Sequence, residues 1–322
     1  MESLFREIQL GNYDFIFFQK TIYGPRDLQN YIPLFLKGKE LGIQTSYIHH
    51  LLQQFGYEKL DSHPGYTLKV NTFGTFQLFL GNRQISDKEW QRMKAKELFI
   101  FLLVHKNRWW SKEEIYEQLW PHASVNNIDN EFKVILNALN KTLEPKRKAR
   151  SNSFYIHRAQ NQYRMNPKAV IEIDFEQFEQ WIYSGLREKS PEKAIPLLLK
   201  GLELYKGSFL ADIQSNASFS TFKEHFQNLF LRGAEKLAQL YVQTNETDQA
   251  IDWCERILTI DKTWEEAYRL LMYCHYQKNN RPLAINYYKK LSKILSEEYG
   301  LEPMESTVQM YEMILDAEDI HL

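Results

Sequence analysis

Between Leu237 and Leu291 the sequence repeats itself at a spacing of 34 residues. Leu237 meets Leu271, Asn245 meets Asn279, Ala250 meets Ala284, Ile251 meets Ile285, Trp253 meets Tyr287 and Ile257 meets Leu291. A short unit that cannot bury its apolar side alone must stack on a copy of itself, and this period is that of the tetratricopeptide helix pair. The alanines let paired helices approach closely, and the aromatics fill the gaps between pairs. Ile260-Asp261-Lys262 ends one pair before Trp264-Glu265-Glu266-Ala267 opens the next, and Lys193-Ala194-Ile195 marks an earlier, degenerate copy. Asp174-Phe175-Glu176-Gln177 has the form of a capping box. Everything after it reads as helical, with Gly185, Pro191, Gly201, Gly207, Pro282, Gly300 and Pro303 at boundaries.

Upstream the period is different. From Thr67, LKVNTFGTFQLFLGNRQI alternates and gives strands near 68–72, 75–80 and 83–85. Helical spacing returns from Lys94 to Asn107. Ser111-Lys112-Glu113-Glu114 is a capping box that opens a second helix through Trp120, stopped by Pro121. A third helix spans 126–143, stopped by Pro145. SFYIHRAQNQYRMNP then gives strands near 153–157 and 162–166, joined by Arg158 to Asn161. Strands, three helices and a hairpin are the plan of a winged helix-turn-helix. Residues 1–60 read as helical, with helices over Leu28–Leu41 and Ser46–Phe55, and DSHPGY at 61–66 is a turn-rich linker. The expected organisation is therefore mainly α: a helical segment at 1–66, an α+β winged helix at 67–168, and an all-α tetratricopeptide-like domain at 169–322.

Charge follows the same division. The net charge of −1 hides 18 Lys+Arg against 9 Asp+Glu in 67–168, and 16 against 25 in 169–322. A basic module is the suspect for a polyanion contact. The third helix supports the suspicion. At 100° per residue, Ile128, Phe132, Ile135, Leu136, Leu139 and Leu143 fall in a sector of about 100° that forms the core stripe. The opposite sector holds Asn130, Lys133, Val134, Asn137 and Lys141. Asparagine pairs bidentately with adenine, lysine bonds guanine or phosphate, and valine touches a thymine methyl. A solvated surface would also be rich in Asn and Lys, but the flanks favour DNA. Lys146, Arg147, Lys148 and Arg150 follow the helix, Arg158 sits at the hairpin tip, and Arg92, Lys94 and Lys96 lie at the start of the first helix, whose amides favour a phosphate.

EWQRMKAKELFIFLLVHKNRWWSKEEIYEQLWP, NEFKVILNALNKTLE and FYIHRAQNQYRM together resemble the OmpR-type winged helix of the antibiotic regulatory protein (SARP) family. ELYKGSFLADI with WEEAYRLLMYCHYQKNNRPLAINYYKKLSKILSEEYGLEP resembles the bacterial transcriptional activator domain that follows it. The resemblance spans residues 67–315. It implies a bacterial transcription activator that binds double-stranded promoter DNA and recruits RNA polymerase. Two places depart from the family: Ala138-Leu139-Asn140-Lys141 stands where Arg-Leu-Arg is frequent, and Gln160-Asn161-Gln162 where the wing often has Gly. Residues 1–66 resemble the end of a helical repeat region in larger MalT-like activators, which would make the chain a carboxy-terminal piece of such a regulator; a helical extension of a small one is the alternative.

Other chemistry is poorly supported. Gly38-Lys39 lacks the upstream glycine of a phosphate-binding loop. His49 and His50 point to different helix sides. Cys254 and Cys274 lie on apolar helical segments without metal-ligand spacing, so they read as buried thiols. Trp120 reads as core, and one of Trp109 and Trp110 as exposed. No enzyme, cofactor or metal is expected. No apolar run reaches the ~18 residues of a membrane span, and the acidic amino terminus is not a secretory signal, so the cytoplasm is the expected location. The competing function is a protein-interaction scaffold whose winged helix binds protein; the +9 of residues 67–168 argues for DNA. Self-association is left open.

Overall fold

A computed structural model describes residues 1–60, 62–121, 128–148, 151–213 and 217–316. The chain divides into two compact units, the first made of Met1–Asn71, Phe76–Ile173 and Ile213–Phe219, the second of Thr72–Thr75, Asp174–Asp212 and the chain from Ser220 onward. Among the described residues no helix is long and apolar enough to cross a membrane.

The first unit opens with α1 (Glu2–Leu10), α2 (Phe15–Phe18), α3 (Ile32–Glu40) and α4 (Thr45–Gln54). They close around Phe5, Phe17, Phe35 and Tyr47, with ring centroids 5.0–6.4 Å apart. The helix expected from Leu28 begins as a 3₁₀ turn over Leu28–Tyr31, and Pro33 sits in the first turn of α3, where a missing N–H costs nothing. Polar contacts tie this segment to the strands that follow. Asp27 accepts from the Thr67 amide at 2.6 Å and the Thr67 hydroxyl at 3.0 Å, and the Tyr57 hydroxyl donates to the Lys168 carbonyl at 3.0 Å. His63 packs on Phe154 at 4.3 Å, and burial pulls its pKa down to about 3.

Next come β1 (Leu68–Asn71), β2 (Gln77–Leu80) and β3 (Arg83–Gln84), close to the expected strands. A fourth strand, β7 (Ile171–Ile173), pairs parallel with β1, giving the order β3-β2-β1-β7. The sequence reading placed no strand here and began the all-α domain at residue 169; β7 falls inside those bounds, just before Asp174. Three residues are too short a run to show a period of two. The helices are α5 (Met93–Val104), α6 (Lys112–Leu119) and α7 (Ile128–Leu143). The Ser111 capping box forms as read, with Glu114 N–H donating to Ser111 Oγ and Ser111 N–H to the Glu114 carboxylate. Leu98 to Leu103 of α5 are all buried, so this helix is the axis of the unit. A second sheet, β4-β6-β5, joins β4 (Trp110–Ser111) to the hairpin of β5 (Ile156–Ala159) and β6 (Gln162–Met165). Trp120 is half-buried, its indole N–H on Glu97 at 2.5 Å. Trp110 is buried, and half-buried Trp109 lies beneath the Arg164 guanidinium at 4.3 Å.

The second unit contains α8 (Asp174–Arg187), α9 (Pro191–Leu202), α10 (Ala217–Gln243), whose first residues belong to the first unit, then α11 (Thr247–Ile260), α12 (Glu265–Gln277), α13 (Arg281–Tyr299) and α14 (Glu305–Asp316). The repeat is physical. Leu237, Leu271, Ala250, Ala284, Ile257 and Leu291 are all fully buried. Asn245 and Asn279 both take left-handed backbone, at φ of 60° and 55°, in the turns that follow α10 and α12. Asparagine tolerates that conformation better than other side chains. Two glycines read as boundaries lie inside helices instead. A Cβ on Gly185 would meet Leu198 Cγ at 2.6 Å, and one on Gly201 would meet Ile182 Cδ1 at 2.7 Å, so both exist to let α8 and α9 touch. Asp174 does not serve the N-cap role assigned to it alone. Its buried carboxylate accepts from the Thr72 amide (2.6 Å), Thr72 hydroxyl (2.7 Å), Phe73 amide (3.0 Å) and Phe175 amide (2.8 Å). Cys254 and Cys274 are buried free thiols, and burial pushes Cys274 up to about 11.

Candidate nucleic-acid interface

The inner side of α7 is Phe132, Ile135, Ala138, Leu139, Thr142 and Leu143, all buried. Asn130, Lys133, Val134, Asn137 and Lys141, placed on the opposite side by the period, are all exposed, Val134 at 45%. Leu136, read as core, is half-buried at the edge of that face. Residues 126 and 127, where the sequence reading began the third helix, lie outside the described residues.

Between α7 and the β5–β6 hairpin lies an open hollow lined by Lys112, Asp129, Lys133, Leu136, Asn137, Asn140, Arg158 and Tyr163. Three predicted residues, Lys133, Asn137 and Arg158, thus converge although they stand on two elements. The hairpin register explains why. Arg158 is paired with Tyr163 inside the ladder, and its guanidinium lies 5.9 Å from that ring. Its Nε donates to the Gln160 carbonyl at 3.2 Å. The expectation that Arg158 marks the hairpin tip is corrected: β5 runs on to Ala159, and the turn is Gln160-Asn161. Gln160 holds φ at 53°, the left-handed conformation glycine would supply.

The acidic residues in the first turn of α7 would repel a phosphate, and other elements hold them. Lys112 of α6 pairs with Asp129, and Lys94 of α5 pairs with Glu131 at 2.5 Å. Both carboxyls are held below their usual range by these lysines. Lys94 is thereby part of the scaffold, over the Trp120 ring at 5.1 Å as well. Lys96 is a correction. It is 3% exposed, its ammonium 5.2 Å from the Phe76 ring and 3.4 Å from Asp87, and it cannot reach a phosphate. Helical spacing gave its height on α5 but not the carboxylate waiting on the preceding turn. Arg92 is exposed at the N-cap of α5. Lys146 and Lys148 are exposed after α7, whereas Arg147 is half-buried with its guanidinium on the Ser151 carbonyl; Arg150 lies outside the described residues. The sequence reading missed Lys112, seen only as part of a capping motif, and Asn140, seen only as a departure from a family pattern. Among the described residues no cluster of three or more His, Cys, Asp or Glu side chains is placed to hold a metal ion.

Comparison with known proteins adds a second line. Residues 173–315 match the bacterial transcriptional activator domain. The chain is 27% identical over 147 residues to the transcriptional regulatory protein MoaR1 of Mycobacterium bovis and of Mycobacterium tuberculosis, a match covering 45% of this chain and 47% of the relatives. The chain thus matches about half the length of those curated relatives. Its fold is similar to the solved structure of Mycobacterium tuberculosis EmbR in complex with a low affinity phosphopeptide, with a TM-score of 0.65, 16% identity, and coverage of 77% of this chain and 65% of that one.

Proposed function

We propose that this chain is a SARP-type transcriptional activator, not an enzyme, that binds promoter DNA through α7 and the β5–β6 wing; the bacterial transcriptional activator domain matched at 173–315 supports the first part of this reading. The observation that carries the reading is the convergence of Lys133, Asn137 and Arg158 beside a helix face whose opposite side is wholly core. In this reading α7 enters the major groove. Asn130, Asn137 and Val134 meet base edges, Lys133 and Lys141 meet bases or phosphates, and Arg158 meets the flanking backbone or minor groove. Arg92, Lys146 and Lys148 add phosphate contacts at both ends of the footprint. The helical-repeat domain, net acidic, makes protein contacts, RNA polymerase among them. The winged helix, the repeat domain and residues 1–66 act as three functional parts.

The test is fluorescence anisotropy of the full chain against duplexes enriched from a random library, titrated with salt. If about 5–7 phosphates are neutralised, log K falls with log[salt] at a slope of roughly −4 to −6. A duplex affinity that is negligible or independent of salt would sink the reading and leave the winged helix as a protein-binding module.

A further inference from the structure

Asn140 does not belong with its neighbours. It lies three residues after Asn137 and seven after Lys133, on the same stripe of α7, yet it is 8% exposed, and its side-chain oxygen is buried without a hydrogen-bond partner. Thr142, the other buried polar residue of α7, has a hydroxyl engaged by the Glu89 and Ala138 carbonyls at 2.9 and 3.1 Å. A buried carbonyl left unpaired is a standing cost to the fold, so native structures keep few of them without a use. Asn140 is also a wall of the hollow that holds Lys133, Asn137 and Arg158.

The chemistry of that hollow selects what enters it. Phosphate and deoxyribose ring oxygens are acceptors; Lys133 and Arg158 suit them, but they can give nothing to the Asn140 oxygen. That oxygen needs an N–H donor. In the major groove the donors are the amino groups of adenine and cytosine. An amide also offers its own N–H₂, and adenine presents an acceptor, N7, beside its amino group, whereas cytosine does not. We infer that Asn140 is a base-specificity residue: with its carboxamide turned toward the hollow that it lines, its side-chain oxygen accepts the amino group of one adenine between α7 and the wing. This rests on the DNA-binding reading above and adds to it a reader that the sequence did not single out.

The experiment uses the full chain and duplexes enriched from a random library separately with wild type and Asn140→Ala. The wild-type sites are expected to hold an adenine at one position where the Asn140→Ala sites show no preference. Both proteins should bind random duplex within about twofold of each other. Replacing that adenine by purine, which lacks the amino group, should weaken wild type roughly tenfold and leave Asn140→Ala unchanged. The purine measurement on wild type does not depend on how the variant folds. The thermal midpoint of Asn140→Ala should equal or exceed that of wild type, because the substitution removes the unpaired oxygen. Enrichment of the same site by both proteins, or an equal purine effect on both, would overturn the inference while leaving DNA binding intact. A wild type that binds no duplex would overturn the reading on which it rests.

Discussion

Two helices of this protein look alike in composition and differ in what they offer. α7 carries Lys133 and Lys141 against Asp129 and Glu131; α13 carries Arg281, Lys289, Lys290 and Lys293 against Glu297 and Glu298. By formal charge α13 is the more basic of the two. Yet α13 lies in the acidic second unit, where Glu297 and Glu298 pair with exposed Lys293 at 3.9 Å and Lys262 at 2.6 Å. On α7 both carboxylates are held by lysines of other helices, Lys112 and Lys94, and Lys133 and Lys141 remain exposed, Lys133 in the hollow with Arg158. What makes a helix fit for a polyanion is the disposal of its carboxylates and the charge of its neighbours, not its own count of lysines.

The largest expected effect breaks the comparison by reversing charge on each helix in turn. Lys133→Glu with Arg158→Glu should reduce duplex affinity by about 100-fold or more and flatten the salt slope by about 2. Lys289→Glu with Lys290→Glu should change affinity less than about twofold. Anisotropy titrations at several salt concentrations read both. Comparable losses from the two pairs would show that the acidic unit also meets DNA, and the contrast between the helices would be lost.

A smaller effect separates positioning from reading on α7 itself. Asn137→Ala should cost about 1–3 kcal/mol on an enriched site and far less on random duplex, while Lys148→Ala should weaken both alike. Equal losses for Asn137→Ala on both duplexes would move base reading away from this residue and towards the wing.

How much of this was visible in the sequence depends on how far apart the partners are. The outward face of α7 was legible because 3.6-residue spacing alone sorts Asn130, Lys133, Val134, Asn137 and Lys141 from Phe132, Ile135 and Leu139. The Ser111–Glu114 capping box and the Asn245–Asn279 correspondence were legible for the same reason: each is a rule about nearby positions or a fixed period. Lys96 was misread because its partners, Asp87 and the Phe76 ring, depend on how the chain turns back before α5. Arg158 was placed in a connection running from 158 to 161, whereas β5 continues through Ala159 and leaves only Gln160-Asn161 in the turn. Asp174 was read as a local cap, yet two of its acceptor bonds go to Thr72, 102 residues away in sequence. Asn140 looked like one more polar residue on a helix. Its oxygen becomes informative only once Leu139 and Thr142 are seen buried beside it and no donor is found.

The smallest predicted effect tests the premise that α7 works because its carboxylates are held. Asp129 stands at the edge of the hollow with a side chain 69% exposed, paired to a Lys112 that is itself only 13% exposed. Lys112→Ala removes the partner and leaves a bare carboxylate beside Lys133 and Asn137. At this exposure the repulsion of an incoming phosphate is screened, so the loss should be only a few-fold in affinity and should fade as salt shortens the Debye length. Adding Asp129→Asn to Lys112→Ala should restore binding, because the second change removes the charge that the first exposed. If Lys112 instead contacts a phosphate directly, Asp129→Asn would not rescue it, and the double-mutant cycle separates the two cases by its coupling energy. The matching change on the other helix, Lys262→Ala, bares Glu298 in the same manner. It should leave DNA affinity where it was if, as proposed, DNA meets α7 and not α13; a drop there equal to that of Lys112→Ala would mean that the disposal of carboxylates does not distinguish the two helices.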